Sequence, residues 1–227
     1  PATDSALLEQ LGAETAPRPW YDSVTALPVG QDAGELRIAT GRLVRALAAT
    51  GVRCEAVWCR IIDAEDLNNQ AEKMGTKSAV NFRAIMRLVD QIRRRWDQAH
   101  PRIIVDRQGG RTRYLRELQL AYPDAHLHIL AETEALSRYR LEGGDAPLTL
   151  SFVRGAEERH FPVALASMAA KYVRELLMLR LNRYFRGFLP ELKPTAGYVQ
   201  DGRRYVRQIE SVIRSEGLDR RCLLRSR

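Results

Sequence analysis

The stretch that decides the fold is Arg102-Ile103-Ile104-Val105-Asp106. A short run of β-branched apolar residues is typical of a strand buried on both faces, as the strands of a parallel sheet are. His100-Pro101, just before it, ends a helical pattern. Because α/β folds place their functional groups at the carboxyl ends of strands, this segment predicts an α/β fold with Asp106 at the functional edge.

Apolar residues recur at helical spacing on both sides of this strand. They predict helices over residues 35–49, 82–96, 114–122 and 164–185. Gly51 follows the first of these helices and ends it. The alternation of helices with strands predicts a mixed sheet flanked by helices.

Segments rich in β-forming residues predict four more strands, over residues 56–62, 126–131, 148–154 and 159–163.

The two ends of the chain differ from its middle. Residues 1–34 are interrupted by prolines and predict a short helix followed by an irregular N-terminal arm. Residues 190–227 predict a C-terminal helical region in which Asp201 caps the final helix. We therefore expect an arm over residues 1–34 and one domain over residues 35–227.

The charge of the chain favours a polyanionic partner. Its 227 residues carry 36 Lys and Arg against 28 Asp and Glu, which gives a net charge of +8 and a pI near 9.7.

No apolar run has the length that a membrane span needs, so we expect no membrane association. Three cysteines, an odd and small number, fit a reducing cytoplasm. We expect a cytoplasmic protein, monomeric rather than oligomeric, that binds nucleic acid.

One side of the helix over residues 164–185 is mostly polar. Ser167, Lys171, Arg174 and Glu175 project from it. It could be a solvated face with a Lys171–Glu175 ion pair, or part of a site that Asp106 completes. Carboxylates suit Mg²⁺ or Mn²⁺, and two such ions can hold a phosphodiester. Two acids alone are too few for that site, and Asp106 could equally be a helix cap or an ion-pair partner.

A resemblance to ribonuclease HII rests on four segments. Asp63-Ala64-Glu65-Asp66-Leu67-Asn68, followed by the helix bearing Met86, resembles the family's acidic and Asn-containing stretch before its central helix. Ala166-Ser167-Met168-Ala169-Ala170-Lys171-Tyr172-Val173-Arg174-Glu175 resembles the family's Ala-Ser-Ile-Val-Ala-Lys-Val-Thr-Arg-Asp segment. Ile103-Ile104-Val105-Asp106 is similar to its apolar strand ending in a catalytic Asp, and Gly197-Tyr198 to its Lys-Gly-Tyr turn. The resemblance implies a ribonuclease H-like fold for residues 35–227. The distance from Asp106 to Ala166 is greater than the family usually shows, so the strands predicted between residues 126 and 163 are interpreted as an inserted β-hairpin.

The resemblance also implies a function. Asp106 and Glu175 would be catalytic ligands of a two-metal Mg²⁺ or Mn²⁺ site, with Glu175 in place of the family's last Asp. Ser167, Lys171 and Arg174 would support the site or contact phosphate, and Tyr198 would stack near the scissile junction. The implied activity is a metal-dependent endonuclease that hydrolyses RNA in an RNA–DNA hybrid or a ribonucleotide-containing duplex.

This sequence departs from the family at its start. The family begins with a strand carrying Asp-Glu-Ala-Gly-Arg-Gly, whereas Asp32-Ala33-Gly34-Glu35 follows no apolar strand and does not match it. We expect the first strands and two acids to precede Pro1 or to come from elsewhere. Two alternatives to the endonuclease are a catalytically inactive nucleic-acid-binding relative, and a nuclease or phosphatase with another substrate.

Three shorter motifs have both a functional and a structural interpretation. Gly109, Gly110 and Arg111 could cradle phosphate through exposed N–H groups, or form an ordinary turn. Residues 137–140 and 203–205 mix arginines with tyrosines, as nucleic-acid surfaces and solvated faces both do.

Overall fold

A computed structural model describes residues 1–96, 99–143 and 147–226. The chain divides into two compact units. Unit 1 comprises Pro1–Asp66 and Ala170–Arg227, and unit 2 comprises Leu67–Ala169. In the part of the chain that is described, no helix is long and apolar enough to cross a membrane.

Helices and strands together give a mixed α/β protein. The helices are α1 (Asp4–Gln10), α2 (Ala33–Thr50), α3 (Ala64–Met74), α4 (Lys77–Arg95), α5 (Leu115–Ala121), α6 (Phe161–Phe188), α7 (Val199–Gln208) and α8 (Glu210–Ser215). The strands are β1 (Arg102–Asp106), β2 (His126–Glu132), β3 (Leu136–Glu142) and β4 (Leu148–Val153).

Unit 2 is built on a four-stranded sheet with the order β1-β4-β3-β2. β1 runs parallel to β4, and the β4–β3 and β3–β2 pairs are antiparallel. The predicted mixed sheet is therefore confirmed, as are the strands predicted near residues 102, 126 and 148. The prediction that the first of these strands is buried on both faces is wrong, because β1 lies at the edge of the sheet and Ile103 is its one buried residue. β2 and β3 form a hairpin within the region interpreted as an insertion.

The core of unit 2 joins the sheet to α4 and α5. Its largest buried members are aromatic and aliphatic side chains from both layers: Phe82, Met86, Val89, Tyr114, Leu118, Tyr139, Leu141, Leu148, Leu150 and Phe152. The rings of Tyr114 and Phe152 stack with centroids 3.7 Å apart. Because α4 carries its apolar residues at helical spacing, it covers the sheet with one face and exposes its arginines elsewhere.

Strand β3 was not predicted, and two predicted strands are wrong. In β3, Ser137, Tyr139 and Leu141 are buried in alternation with arginines, which is the period of a strand with one solvated face. Residues 56–62 pair with no strand, although the Cys59 N–H donates to the Leu11 carbonyl at 3.0 Å. Residues 159–163 instead lead into α6, whose second residue is Pro162, because proline fits the first turn of a helix and cannot donate to a β-ladder.

The N-terminal arm is part of the core of unit 1. Asp4 and Arg180 are almost fully buried and form an ion pair, with Arg180 Nε donating to Asp4 Oδ2 at 2.7 Å. Arg180 also donates to the Tyr21 carbonyl at 2.7 Å, and the Thr25 N–H donates to Asp4 Oδ1 at 2.8 Å. These bonds attach residues 4–25 to α6.

Helix α2 confirms the predicted helix near residues 35–49 and shows where its apolar residues lie. Asp32 caps it by accepting from the N–H groups of Gly34 and Glu35 at 2.8 and 2.9 Å. No residue of α2 is buried, and Leu36 and Leu43 are among its exposed apolar side chains.

The C-terminal region is helical, as predicted, but is broken into two helices. Tyr205, Val212 and Ile213 are buried around Ile209, where α7 ends and α8 begins. The prediction that Asp201 caps the helix is wrong, since Tyr198 is the N-cap of α7 and Asp201 lies in its first turn. Its carboxylate instead accepts from the loop before the helix.

Candidate functional site

Asp106 lies at the carboxyl end of β1, as the sequence predicts. Its side chain is exposed, and its Oδ1 accepts from the Ala156 N–H at 2.9 Å. Ala156 begins the 3₁₀ turn that follows β4. Asp106 therefore caps that turn while it remains at the surface.

Glu175 lies on α6 in unit 1, whereas Asp106 belongs to unit 2. The Glu175 side chain is 61% exposed, and its Oε1 accepts from Arg174 Nη1 at 2.7 Å. Neither unit by itself holds both of the carboxylates that were predicted to bind metal.

Neither acid belongs to a group of three or more ligand-type side chains in the described residues. Magnesium and manganese ions take oxygen ligands, which carboxylates, backbone carbonyls and waters all supply. In the described segments, the triple of ligand-type side chains within 4.8 Å of one another is Glu65, Asp219 and Cys222, which includes neither Asp106 nor Glu175.

The Glu65, Asp219 and Cys222 triple has its own structural explanation. Arg18 forms an ion pair with Glu65 and a second one, at 3.3 Å, with Asp63. Burial raises the pKa of the Cys222 thiol, and Asp219 Oδ1 accepts from the Arg221 N–H at 2.8 Å.

Arg174 and Tyr198, two of the predicted nucleic-acid contacts, lie together in unit 1. The Arg174 Cζ atom is 5.2 Å from the centroid of the Tyr198 ring. The Tyr198 side chain is 68% exposed. A guanidinium over an exposed aromatic ring presents a planar surface, and here Glu175 Oε1 compensates the guanidinium charge.

The turn that carries Tyr198 is held close to α6. Arg174 donates from Nη2 to the Ala196 carbonyl. Gly197 has a φ of +75°, and a Cβ there would lie 3.3 Å from Met178 Cε. A residue without a side chain is therefore required for this backbone conformation and this close approach.

Asp201 also holds this turn, through hydrogen bonds that its carboxylate accepts from Thr195 and Ala196. Hydrogen bonds from the Thr195 hydroxyl, at 2.6 Å, and from Arg204 lower the pKa of the Asp201 carboxyl to about 2. Asn182, buried in α6, exchanges two hydrogen bonds of 2.9 Å with the backbone of Thr195. The loop before α7 is thus attached to α6 by side chains.

The other two predicted contacts on α6, Lys171 and Ser167, lie in different units. Lys171 is exposed on the part of α6 in unit 1. Ser167 is partly buried on the part of the same helix that belongs to unit 2.

In the glycine turn after β1, Arg111 has a structural role. Arg111 forms an ion pair with Glu117, and its Cζ lies 5.7 Å from the centroid of the Tyr114 ring. Gly109, with a φ of +57°, and Gly110 are exposed. Their backbone can approach a ligand, but the Arg111 charge is already compensated.

Neither of the two arginine–tyrosine motifs offers its ring to a ligand. Tyr139 is fully buried in the core of unit 2, and Tyr205 is 2% exposed in the core of unit 1. Arg204 is committed to Asp201, with Nη2 donating at 2.7 Å. The interpretation of these motifs as stacking surfaces is therefore wrong, because strand and helix periodicity turns each tyrosine inward.

A cavity of about 490 Å³ on unit 1 was not predicted. It is lined by Gln200, Arg203, Val206, Arg207 and Leu224. The spacing of the two arginines, four residues apart on one helix, was the available signal.

Comparisons with protein-family models, with curated proteins and with solved structures give no match to this chain.

Proposed function

We propose that this chain is a ribonuclease H-like protein that binds a nucleic-acid strand through the surface formed by Arg174 and Tyr198. The observation that carries the proposal is the exposed Tyr198 ring with the Arg174 guanidinium 5.2 Å from its centroid. Nucleic-acid surfaces combine stacking rings with cations. The chain's net charge of +8 and the resemblance to ribonuclease HII support the same assignment.

In this proposal Tyr198 and Arg174 have different tasks. The exposed ring stacks on a base, while the guanidinium, which is paired with Glu175 and donates to the Ala196 carbonyl, orients the ring. Asp201 and Gly197 hold the turn in place, so that the ring is positioned before the strand arrives.

Binding of a labelled RNA–DNA hybrid and of labelled single strands, measured by fluorescence anisotropy at two salt concentrations, tests this proposal. Tyr198→Ala removes one stacking partner and is expected to cost about 1–3 kcal/mol, which is roughly 5- to 150-fold in affinity. Tyr172→Ala is the matched control, because Tyr172 is 43% exposed on α6 and lies about 200° around that helix from Arg174. Equal losses in the two variants, or no binding by the unmodified chain, would refute the proposal.

Metal-dependent hydrolysis of RNA is the second candidate function. It is favoured by the position of Asp106, an exposed carboxylate at the carboxyl end of a strand in a mixed sheet. Since Asp106 belongs to no group of three or more ligand-type side chains among the described residues, the proposal assigns it no catalytic step.

Cleavage assays separate the two candidates. A duplex containing one ribonucleotide is incubated with the chain in Mg²⁺, in Mn²⁺ and in a chelator. If the chain is a nuclease, Asp106→Asn abolishes cleavage without changing the thermal melt, since asparagine retains the oxygen that accepts from Ala156. Asp124→Asn, at another exposed aspartate of unit 2, is the control. Binding without metal-dependent cleavage supports the binding function alone.

A further inference from the structure

We propose that the cavity on α7 is a nucleotide-binding pocket in which Arg203 and Arg207 hold a phosphate. Val206 and Leu224 would contact the sugar or base of the same nucleotide. This inference rests on the proposed function, because it identifies where the next unit of a bound strand lies.

The first argument is the charge at the cavity. Arg203 and Arg207 are both exposed, and neither guanidinium forms a hydrogen bond or ion pair with another residue in the part of the chain that the structure describes. They lie one helical turn apart, about 6 Å along the helix axis, so that both guanidinium groups reach one anion.

The acids near these arginines are already compensated. Asp201 accepts from Arg204 at 2.7 Å. Glu210 forms ion pairs with Arg214, at 3.3 Å, and with Arg220. The positive charge at the cavity is therefore available to an external anion rather than to these side chains.

The second argument is the chemistry of the lining. Val206 and Leu224 provide apolar surface, and Gln200 provides an amide that both donates and accepts. A cavity of about 490 Å³ is of the size that small-molecule ligands occupy. A phosphate with an attached sugar and base matches two cations, one amide and an apolar wall better than a bare anion does.

The third argument is the position of the cavity on α7. Tyr198 is the N-cap residue of α7, and Arg203 follows within the same helix, about 7.5 Å further along its axis. A strand stacked on Tyr198 can therefore continue along α7 and place a later phosphate on Arg203 and Arg207.

Two measurements test the pocket. In the first, calorimetric titrations compare AMP, adenosine and inorganic phosphate. AMP is expected to bind more tightly than either of the others, and Arg203→Ala with Arg207→Ala is expected to remove that binding. Leu224→Ala should reduce the preference for AMP over phosphate. Equal affinities for AMP and inorganic phosphate, or an unchanged AMP affinity in the double variant, would overturn the proposal.

In the second, anisotropy titrations use a labelled single-stranded 12-mer over a range of salt. The double variant is expected to weaken binding roughly tenfold or more and to lower the salt slope by about 0.7 for each lost phosphate contact. Arg214→Ala is the control, because it removes one positive charge from an arginine that is already paired with Glu210.

The failure of the pocket can be distinguished from that of the proposed function. If Tyr198→Ala weakens binding of the 12-mer while the double arginine variant does not, the pocket is wrong and the stacking surface stands. If the unmodified chain binds no oligonucleotide, the proposed function fails, and AMP binding that depends on Arg203 would still support the pocket.

Discussion

The buried Asp4–Arg180 ion pair makes a sharp prediction about stability. Asp4→Asn leaves the Arg180 guanidinium in the core without a counter-charge, since its 4% exposure gives water little access. Removal of one partner of a buried pair costs about 3–5 kcal/mol of folding stability.

The lowered pKa of the Asp4 carboxyl gives a second estimate of what this ion pair contributes to stability. Burial alone would raise its pKa, but hydrogen bonds from Arg180 and Thr25 and the Arg180 charge lower it from 3.8 to about 2. That shift corresponds to about 2 kcal/mol of stability.

Urea unfolding at neutral pH measures this loss. A cost of about 3 kcal/mol, divided by a slope of about 2 kcal/mol per M, lowers the urea midpoint by about 1.5 M. Asp22→Asn is the control, because Asp22 is exposed in the same segment of the chain. The Asp4→Leu, Arg180→Leu double variant should recover part of the loss, since an apolar pair leaves no charge buried.

The pH dependence has a definite sign. Because the folded-state pKa of Asp4 is lowered, its contribution is present above about pH 4 and is lost as the pH falls toward 2. The gap between the unmodified chain and Asp4→Asn should therefore close over that interval. An Asp4→Asn midpoint equal to that of Asp22→Asn, or a gap that is independent of pH, would refute the reasoning.

Three further predictions concern the turn before α7 and the core of unit 2. Gly197→Ala should destabilise unit 1 by about 1–2 kcal/mol, measured by thermal unfolding, because its φ of +75° suits glycine and a Cβ would lie 3.3 Å from Met178; an unchanged melt would contradict this. Tyr139→Phe should cost about 1–3 kcal/mol in urea unfolding, because it leaves the buried Tyr114 N–H without the hydroxyl that accepts it at 2.8 Å; a neutral effect would mean that this N–H finds another acceptor. The Asp201 carboxyl should titrate near pH 2 by NMR, so its tie to the loop is lost only as the pH falls below about 4; a midpoint near 4 would contradict the hydrogen-bond arrangement.

The long and strongly periodic segments could be read from the sequence. Ile103, Ile104 and Val105 are apolar and β-branched, which predicts a strand, and α4 and α6 repeat their apolar residues over many turns. The burial of that strand could not be predicted, because it depends on its place at the edge of the sheet. Short segments could not be assigned in the same way. Residues 56–62 have the composition of a strand, but a strand exists only where a neighbour supplies hydrogen-bond partners, and this segment has none in the sheet.

The sequence by itself determined which side chains could act: an Asp at a strand end, a polar stripe on a long helix, and a tyrosine after a glycine. Only the tertiary structure decided which of them are available. Arg204 and Arg111 are held by acids, whereas Arg203 and Arg207 are not, and Tyr198 is exposed whereas Tyr205 and Tyr139 are core residues. The physical reason is that charge and aromaticity are properties of a residue type, while exposure and pairing depend on neighbours that are distant along the chain. Asp106 illustrates the difference, since its place at the end of β1 follows from five residues, but its partner Ala156 lies fifty residues away.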